Sequence, residues 1–309
     1  MRFGRVLTAM LTPMNEALAV DYEAARVLAR HLIDHGSDGI VVSGTTGESP
    51  TLTTAEKINL FRLVKEEAGA KACVFAGVGS NTTQGSIELA KQAEQTGVDG
   101  VMAVVPYYNK PSQEGIVQHF AAIAEAVKLP VMLYNVPGRT SVNMLPQTVK
   151  RLAAIPNIAA LKEAAGNMDQ VSELKRVLPP DFIIYSGDDS FTLPMLAVGC
   201  DGIVSVASHV IGDEIKAMVD AWFAGDAKTA AAWHLKLFPM FKGIFVTTNP
   251  IPIKTLTELA GLKAGGLRLP LVKATPEETE FLRGVLEEVK AAPESLALAA
   301  NAGKKKQKL

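Results

Sequence analysis

Cysteine is scarce in this chain: Cys73 and Cys200 are the two among 309 residues. They lie far apart in separate apolar runs, which excludes a disulfide framework or a cysteine-rich zinc site and reads as two reduced core thiols. Excess charge is missing too. The formal net charge of −1 gives the body of the protein no electrostatic footprint for nucleic acid or an anionic membrane surface. No apolar run reaches the ~20 residues of a bilayer span. The short run near Arg2 and Arg5 is interrupted by Thr8, Thr12 and Pro13. It is too short for a signal peptide and lacks a small-residue cleavage site, so it reads as a first strand, with a cytoplasmic location as the default expectation. Histidines are few and scattered, and of the five only His31 and His35 have helical i,i+4 spacing. They read as core or solvated rings, and no metal is expected. Asp188-Asp189 reads as a cap for the helix after it, ahead of a cation site. No Gly-x-Gly-x-x-Gly follows the first strand, which argues against an open dinucleotide-binding sheet. Gly77-Val-Gly-Ser-Asn81 lacks the lysine of a phosphate loop.

What the chain does have is alternation. Short β-rich apolar runs recur at residues 5–11, 39–43, 73–78, 100–105, 130–134, 158–162, 182–186 and 202–206. Helical stretches fill the gaps, for example residues 22–35, 54–69, 82–95 and 115–127, with apolar residues at helical spacing and charges opposite. Parallel strands need helical crossovers, so the pattern implies a parallel sheet. A short repeat agrees: Gly36-Ser-Asp-Gly-Ile40, Gly97-Val-Asp-Gly-Val101 and Gly199-Cys-Asp-Gly-Ile203 each join a helix to a strand. The first glycine suits a helix C-cap and Asp-Gly the turn into the strand. The copies are separated by about two and four βαβ units of ~30 residues, placing them before strands two, four and eight. Eight units fit a (β/α)₈ TIM barrel.

After residue 210 only helices follow: residues 212–223, 227–241, 252–260 and 276–290. These exceed the single helix needed to finish a barrel. The expected organisation is a barrel over residues 1–224, a C-terminal helical domain over 225–292 and a flexible basic tail over 293–309. The tail ends in KKKQKL and reads as a solvated terminus ahead of a polyanion-binding arm.

Active sites of such barrels lie at the C-terminal ends of the strands. Lys162 ends the run Ile158-Ala-Ala-Leu-Lys162. Alternation puts Ile158, Ala160 and Lys162 on one face. If that face is the barrel interior, the ammonium is desolvated and the neutral amine becomes a nucleophile fit for Schiff-base chemistry. A surface lysine, or one paired with Glu163, stays open on this feature alone. Tyr134 ends strand five, and Tyr107 and Tyr108 follow strand four; each could move protons or simply pack at the rim. Gly44-Thr45-Thr46-Gly47 offers amides and hydroxyls to a carboxylate, or is an ordinary turn. Arg139 could hold a carboxylate by a two-pronged hydrogen bond, or sit in solvent.

Together these segments resemble the dihydrodipicolinate synthase family, within the pyruvate-dependent aldolase superfamily that includes N-acetylneuraminate lyase. The resemblance runs from about Phe3 to Val289. It rests on GTTGE at 44–48, PYYNKPSQEG at 106–115, YNVPGRT at 134–140, LKEA at 161–164, SGDD at 186–189 and TNPIPIK at 248–254. It implies 4-hydroxy-tetrahydrodipicolinate synthase activity on the route to lysine and diaminopimelate, with pyruvate and L-aspartate-4-semialdehyde as substrates. No cofactor is implied beyond a pyruvate imine on Lys162. Tyr134 would shuttle protons, with Thr45 and Tyr108 relaying them, and Tyr108 would reach into a neighbouring subunit of a homotetramer. Thr46 would hold the pyruvate carboxylate, helped by backbone near Gly187 and Val204, and Arg139 would hold that of the semialdehyde. The lyases and sugar-acid aldolases have Ser-Thr where this chain has Thr45-Thr46 and lack Pro137-Gly138-Arg139, so both features favour the synthase. A non-catalytic barrel scaffold would be expected to lose Lys162, Tyr134 or Arg139. A site that binds lysine as a feedback inhibitor in many bacterial members resembles Ser49, Pro50, Thr54, Lys57, Asn81, Gly85 and Tyr107. Sensitive members carry histidines at positions 54 and 57 and a glutamate at 85.

Overall fold

The computed structural model describes residues 3–291; the basic tail and the ends of the expected domains lie outside the described residues. Eight parallel strands close into a barrel in chain order. They are β1 (Val6–Ala9), β2 (Gly39–Val42), β3 (Cys73–Gly77), β4 (Gly100–Val104), β5 (Val131–Asn135), β6 (Ile158–Glu163), β7 (Ile183–Ser186) and β8 (Gly202–Ser205). All eight expected strands are present, with ends that differ by a residue or two. Helices fill every crossover, so apolar side chains form two shells. One lies inside the barrel, with Leu7, Val41, Phe75, Met102, Met132, Ala160, Tyr185 and Val204. The other lies between strands and helices.

The Gly-x-Asp-Gly repeat precedes β2, β4 and β8. Its first glycines, Gly36, Gly97 and Gly199, all have φ between +81° and +93°, a backbone conformation open to glycine at little cost. The aspartates do more than turn the chain. Asp38 accepts the Val6 N–H (3.0 Å), Asp99 that of Val74 (2.8 Å) and Asp201 that of Ile184 (2.8 Å). Each carboxylate thus ties the start of its own strand to the start of the preceding one around the barrel.

Two local expectations are corrected. Strict alternation fails in β6: Val131 pairs with Ile158 but Met132 with Ala160, a bulge that skips Ala159. Ile158 therefore belongs to the outer shell, while Ala160 and Lys162 still share the interior. The helix expected from residue 212 begins at Ser208 and runs to Phe223, with a kink at Ile211 (φ −135°, ψ 38°). That kink breaks the helical period that would have revealed its first turn.

Three further helices, Ala227–Gly243, Ile251–Leu259 and Pro276–Lys290, follow the last barrel helix. Ala227–Gly243 packs on both Ser208–Phe223 and Pro276–Lys290. The segment around Ile251–Leu259 reaches the C-terminal mouth of the barrel, where it meets the loop after β2. No described helix is long and apolar enough to cross a membrane.

Candidate active site

Parallel pairing sets Tyr134 of β5 opposite Lys162 of β6. Partners on neighbouring parallel strands lie about 4.8 Å apart and face the same way, so both side chains enter the barrel. The Lys162 ammonium stands 4.3 Å from the centre of the Tyr134 ring. Lys162 is 5% exposed, and burial pulls its ammonium down to about 8; the Asp189 carboxylate opposes that shift and the Arg139 guanidinium adds to it. A substantial fraction of the amine is then neutral near pH 8, the form that attacks a carbonyl. The surface-lysine alternative is gone. So is pairing with Glu163, whose carboxylate points to the opposite face. There it accepts from Asn135 Nδ2 (3.1 Å), Gln170 Nε2 (3.2 Å) and the Ala165 N–H (2.7 Å).

Tyr134 is also buried, and burial raises its phenol above the ordinary range. The Arg139 charge and the neighbouring Thr45 side chain act the other way. The phenol thus stays protonated at neutral pH, and the half-buried Thr45 shares its cavity. Thr45, Tyr134 and Arg139 line a cavity of about 360 Å³. Thr46 is buried beside them. Gly187 passes close to the lysine stem: a Cβ there would meet Lys162 Cγ at 3.0 Å and Ala164 Cβ at 2.8 Å. Only glycine leaves that stem straight. Val204 is in the interior shell. Tyr108 stands apart from its own chain's cavity, 88% exposed at φ +74°, a conformation that non-glycine residues rarely adopt.

The same cavity extends to Ser49, Pro50, Lys57, Ser80 and Tyr107. Lys57 is half-buried, and burial alone lowers its ammonium. Asn81 does not line this cavity; its carbonyl accepts from Asn109 Nδ2 at 2.8 Å. Gly85 and Thr54 are not on its wall either.

A scan against family models matches residues 2–289 to the dihydrodipicolinate synthetase family. The chain belongs to that family. Among curated relatives it is 59% identical to the 4-hydroxy-tetrahydrodipicolinate synthase of Desulforamulus reducens, over 92% of this chain and 96% of that one. The corresponding protein of Desulforudis audaxviator is 58% identical over 93% and 97%. Among solved structures, a dihydrodipicolinate synthase of Bacillus anthracis is 48% identical with TM-score 0.91, covering 94% of this chain and 99% of its own. That of Cyanidioschyzon merolae, solved with lysine bound, is 47% identical with TM-score 0.92 over the same shares.

The site also holds a residue that spacing could not single out. Asp188 does cap, accepting the Ser190 N–H at 2.8 Å. Asp189 does not. It is buried and accepts the Ser205 hydroxyl and the N–H groups of Val206 (3.1 Å) and Ala207 (3.3 Å). Burial pushes its carboxyl up to about 6, and those hydrogen bonds restrain the rise. It fixes the end of β8 and lends Lys162 a counter-charge. The only sequence signal for it was the doubled aspartate at a strand end. Among the described residues, no three His, Cys, Asp or Glu side chains converge on one point. His209 is a core ring, its Nε2 accepting the Leu11 N–H at 3.0 Å.

Proposed function

We propose that this chain catalyses the 4-hydroxy-tetrahydrodipicolinate synthase reaction, with Lys162 as the covalent residue. The observation that carries the reading is the buried amine of Lys162, held against Tyr134 and depressed to about 8 by its surroundings. The neutral amine adds to the C2 carbonyl of pyruvate, and water leaves as the imine forms. Loss of a C3 proton gives an enamine, whose carbon attacks the aldehyde of L-aspartate-4-semialdehyde. The semialdehyde's amine then takes the imine carbon and frees Lys162 as the ring closes. Tyr134, which lines the cavity together with Thr45, is suited to donate and recover protons at these steps. Thr46 takes the pyruvate carboxylate with backbone near Gly187 and Val204. A coupled assay with pyruvate and the semialdehyde, run against N-acetylneuraminate cleavage, tests the reading; turnover of the sugar acid alone would overturn it.

Arg139 holds the semialdehyde carboxylate and makes no bonds itself. Arg139→Lys keeps the charge but loses the planar fork. The expected result is a raised KM for the semialdehyde with pyruvate trapping intact. Loss of trapping would give Arg139 another role.

The exposure and left-handed backbone of Tyr108 support a role in a neighbouring subunit's site, within a tetramer. Sedimentation at assay concentrations reads the assembly; a fully active monomer would sink the idea. The closed barrel and the three helices after it support a division into a barrel unit up to residue 224 and a helical unit from residue 225.

Lysine should inhibit weakly. Its side-chain ammonium needs an acceptor, and an unpaired charge in a partly buried pocket is costly. Position 85 offers no carboxylate, and Lys57 presents a like charge to the cavity. Ser49 and Tyr107 remain to take the ligand's backbone end, and Asn81 follows the wall residue Ser80. Activity titrated against lysine decides the matter: strong inhibition below a millimolar would show this pocket to be misread.

A further inference from the structure

The segment Thr248-Asn-Pro-Ile-Pro-Ile-Lys254 has no part in the chemistry described so far, yet it makes two separate connections to the loop after β2. Asn249 is 5% exposed, and its Nδ2 donates to Thr46 Oγ1 at 2.9 Å across 203 residues of sequence. Its backbone carbonyl accepts from Arg139 Nη2 at 3.4 Å. One turn further on, Lys254 pairs with Glu48 at 2.6 Å with both side chains buried, two residues past Thr46. Asn249 is therefore fixed in place by the helix that follows it.

A threonine hydroxyl has one proton to donate and two lone pairs. Asn249 occupies one lone pair of Thr46. The hydrogen bonds of the described residues give the Thr46 proton no protein acceptor, although the residue is 2% exposed. A buried donor left without a partner costs free energy unless a ligand completes it. We infer that Asn249 is a positioning residue: its side-chain amide orients the Thr46 hydroxyl so that the proton is directed to the carboxylate of pyruvate. Through its backbone carbonyl the same residue steadies Arg139, so one residue of the C-terminal segment registers both carboxylate-binding groups. This rests on the reading of Thr46 as the pyruvate-carboxylate ligand.

The test measures the pyruvate concentration that half-saturates borohydride-trapped adduct, read by intact mass, in full-length protein. Thr46→Val, Asn249→Ala and the double variant are compared, with circular dichroism to confirm folding. Asn249→Ala should raise the half-saturating pyruvate about tenfold while leaving maximal trapping intact, the scale of one hydrogen bond to a charged group. Because Asn249 acts through Thr46, the double variant should be no worse than Thr46→Val alone. Full additivity, or an unchanged Asn249→Ala, would overturn the inference. If Thr46→Val itself leaves pyruvate binding unchanged, the carboxylate reading of Thr46 fails, a result distinct from failure at Asn249 only. Should Asn249→Ala not fold, Asn249→Asp has the same shape without the donor. It should weaken pyruvate binding at least as much, and unaltered binding would again refute the role.

Discussion

Lys162→Ala abolishes the pyruvate adduct trapped by borohydride and leaves the barrel folded. Among the described residues the amine is the only group in the barrel interior able to form the imine, so its removal deletes the covalent path. The expected loss in turnover is at least about 10³-fold, toward the upper end of what a misplaced acid or base costs. Folding should survive, because Lys162 makes no ion pair in direct contact, the Asp189 carboxylate acting on it only from a distance, and burying a charge so weakly compensated is itself unfavourable. A thermal midpoint equal to or above that of the parent is expected. The pH dependence follows in sign from the depressed ammonium. With its midpoint near 8, Lys162 is protonated and inert well below pH 8, and the neutral nucleophile grows as pH rises through that value. The initial rate of trapping at saturating pyruvate should therefore climb through about pH 8 and level off above it. A climb centred near pH 10.5, the ordinary value for lysine, would mean that the side chain is solvated. An adduct that persists in the variant on another lysine would end the assignment.

The barrel was legible in the sequence because its signals are local and repeated. Strand runs and helical stretches each lie within ~15 residues, and the Gly-x-Asp-Gly copies count the units between them. Lys162 was legible for a related reason: a charged residue closing an apolar run is a local anomaly, and alternation gave it a face. That face survived the bulge at Ala159 because the slip lies before Ala160, leaving Ala160 and Lys162 in step. The bulge itself left no mark, since Ala159 and Ala160 are identical in size and hydrophobicity and only partner register separates them. Tyr134 and Thr45 could be named as candidates, but their meeting on one cavity wall brings β5 to the loop after β2, and no spacing carries that. Asn249, Glu48 and Asp189 were illegible in their roles. Their partners lie 203, 206 and 16 residues away, and each belongs to a residue type whose commonest place is a solvated loop or cap. A motif such as TNPIPIK marks a segment without saying what it touches.

Lys254→Met should destabilise the protein more than any single change at the cavity wall. Lys254 and Glu48 are 2% and 0% exposed in their side chains and 2.6 Å apart. Each has one further hydrogen bond: Lys254 Nζ donates to the Gly266 carbonyl at 2.6 Å, and Glu48 Oε2 accepts the Arg268 N–H at 3.1 Å. Glu48 also sits at φ +55°, a left-handed conformation that costs a non-glycine residue about 1–2 kcal/mol. The pair and its hydrogen bonds hold it there. Taking away one partner strands the other charge in the interior, which costs about 3–5 kcal/mol. At about 2–4 °C per kcal/mol for chains of a few hundred residues, Tm should fall by roughly 10 °C. Methionine keeps most of the volume of the lysine stem, so little of that loss is a cavity effect. The argument has a second arm. Replacing both residues, Glu48→Leu with Lys254→Met, removes the stranded charge and should recover much of the loss, because a buried pair stabilises little relative to apolar residues of similar size. Recovery should be incomplete, since the Arg268 N–H and the Gly266 carbonyl each lose a partner. Calorimetry on the two single variants and the double variant reads the outcome. A Tm for Lys254→Met within about 2 °C of the parent would mean that water reaches the pair and that the loop carrying Thr46 is not held by it.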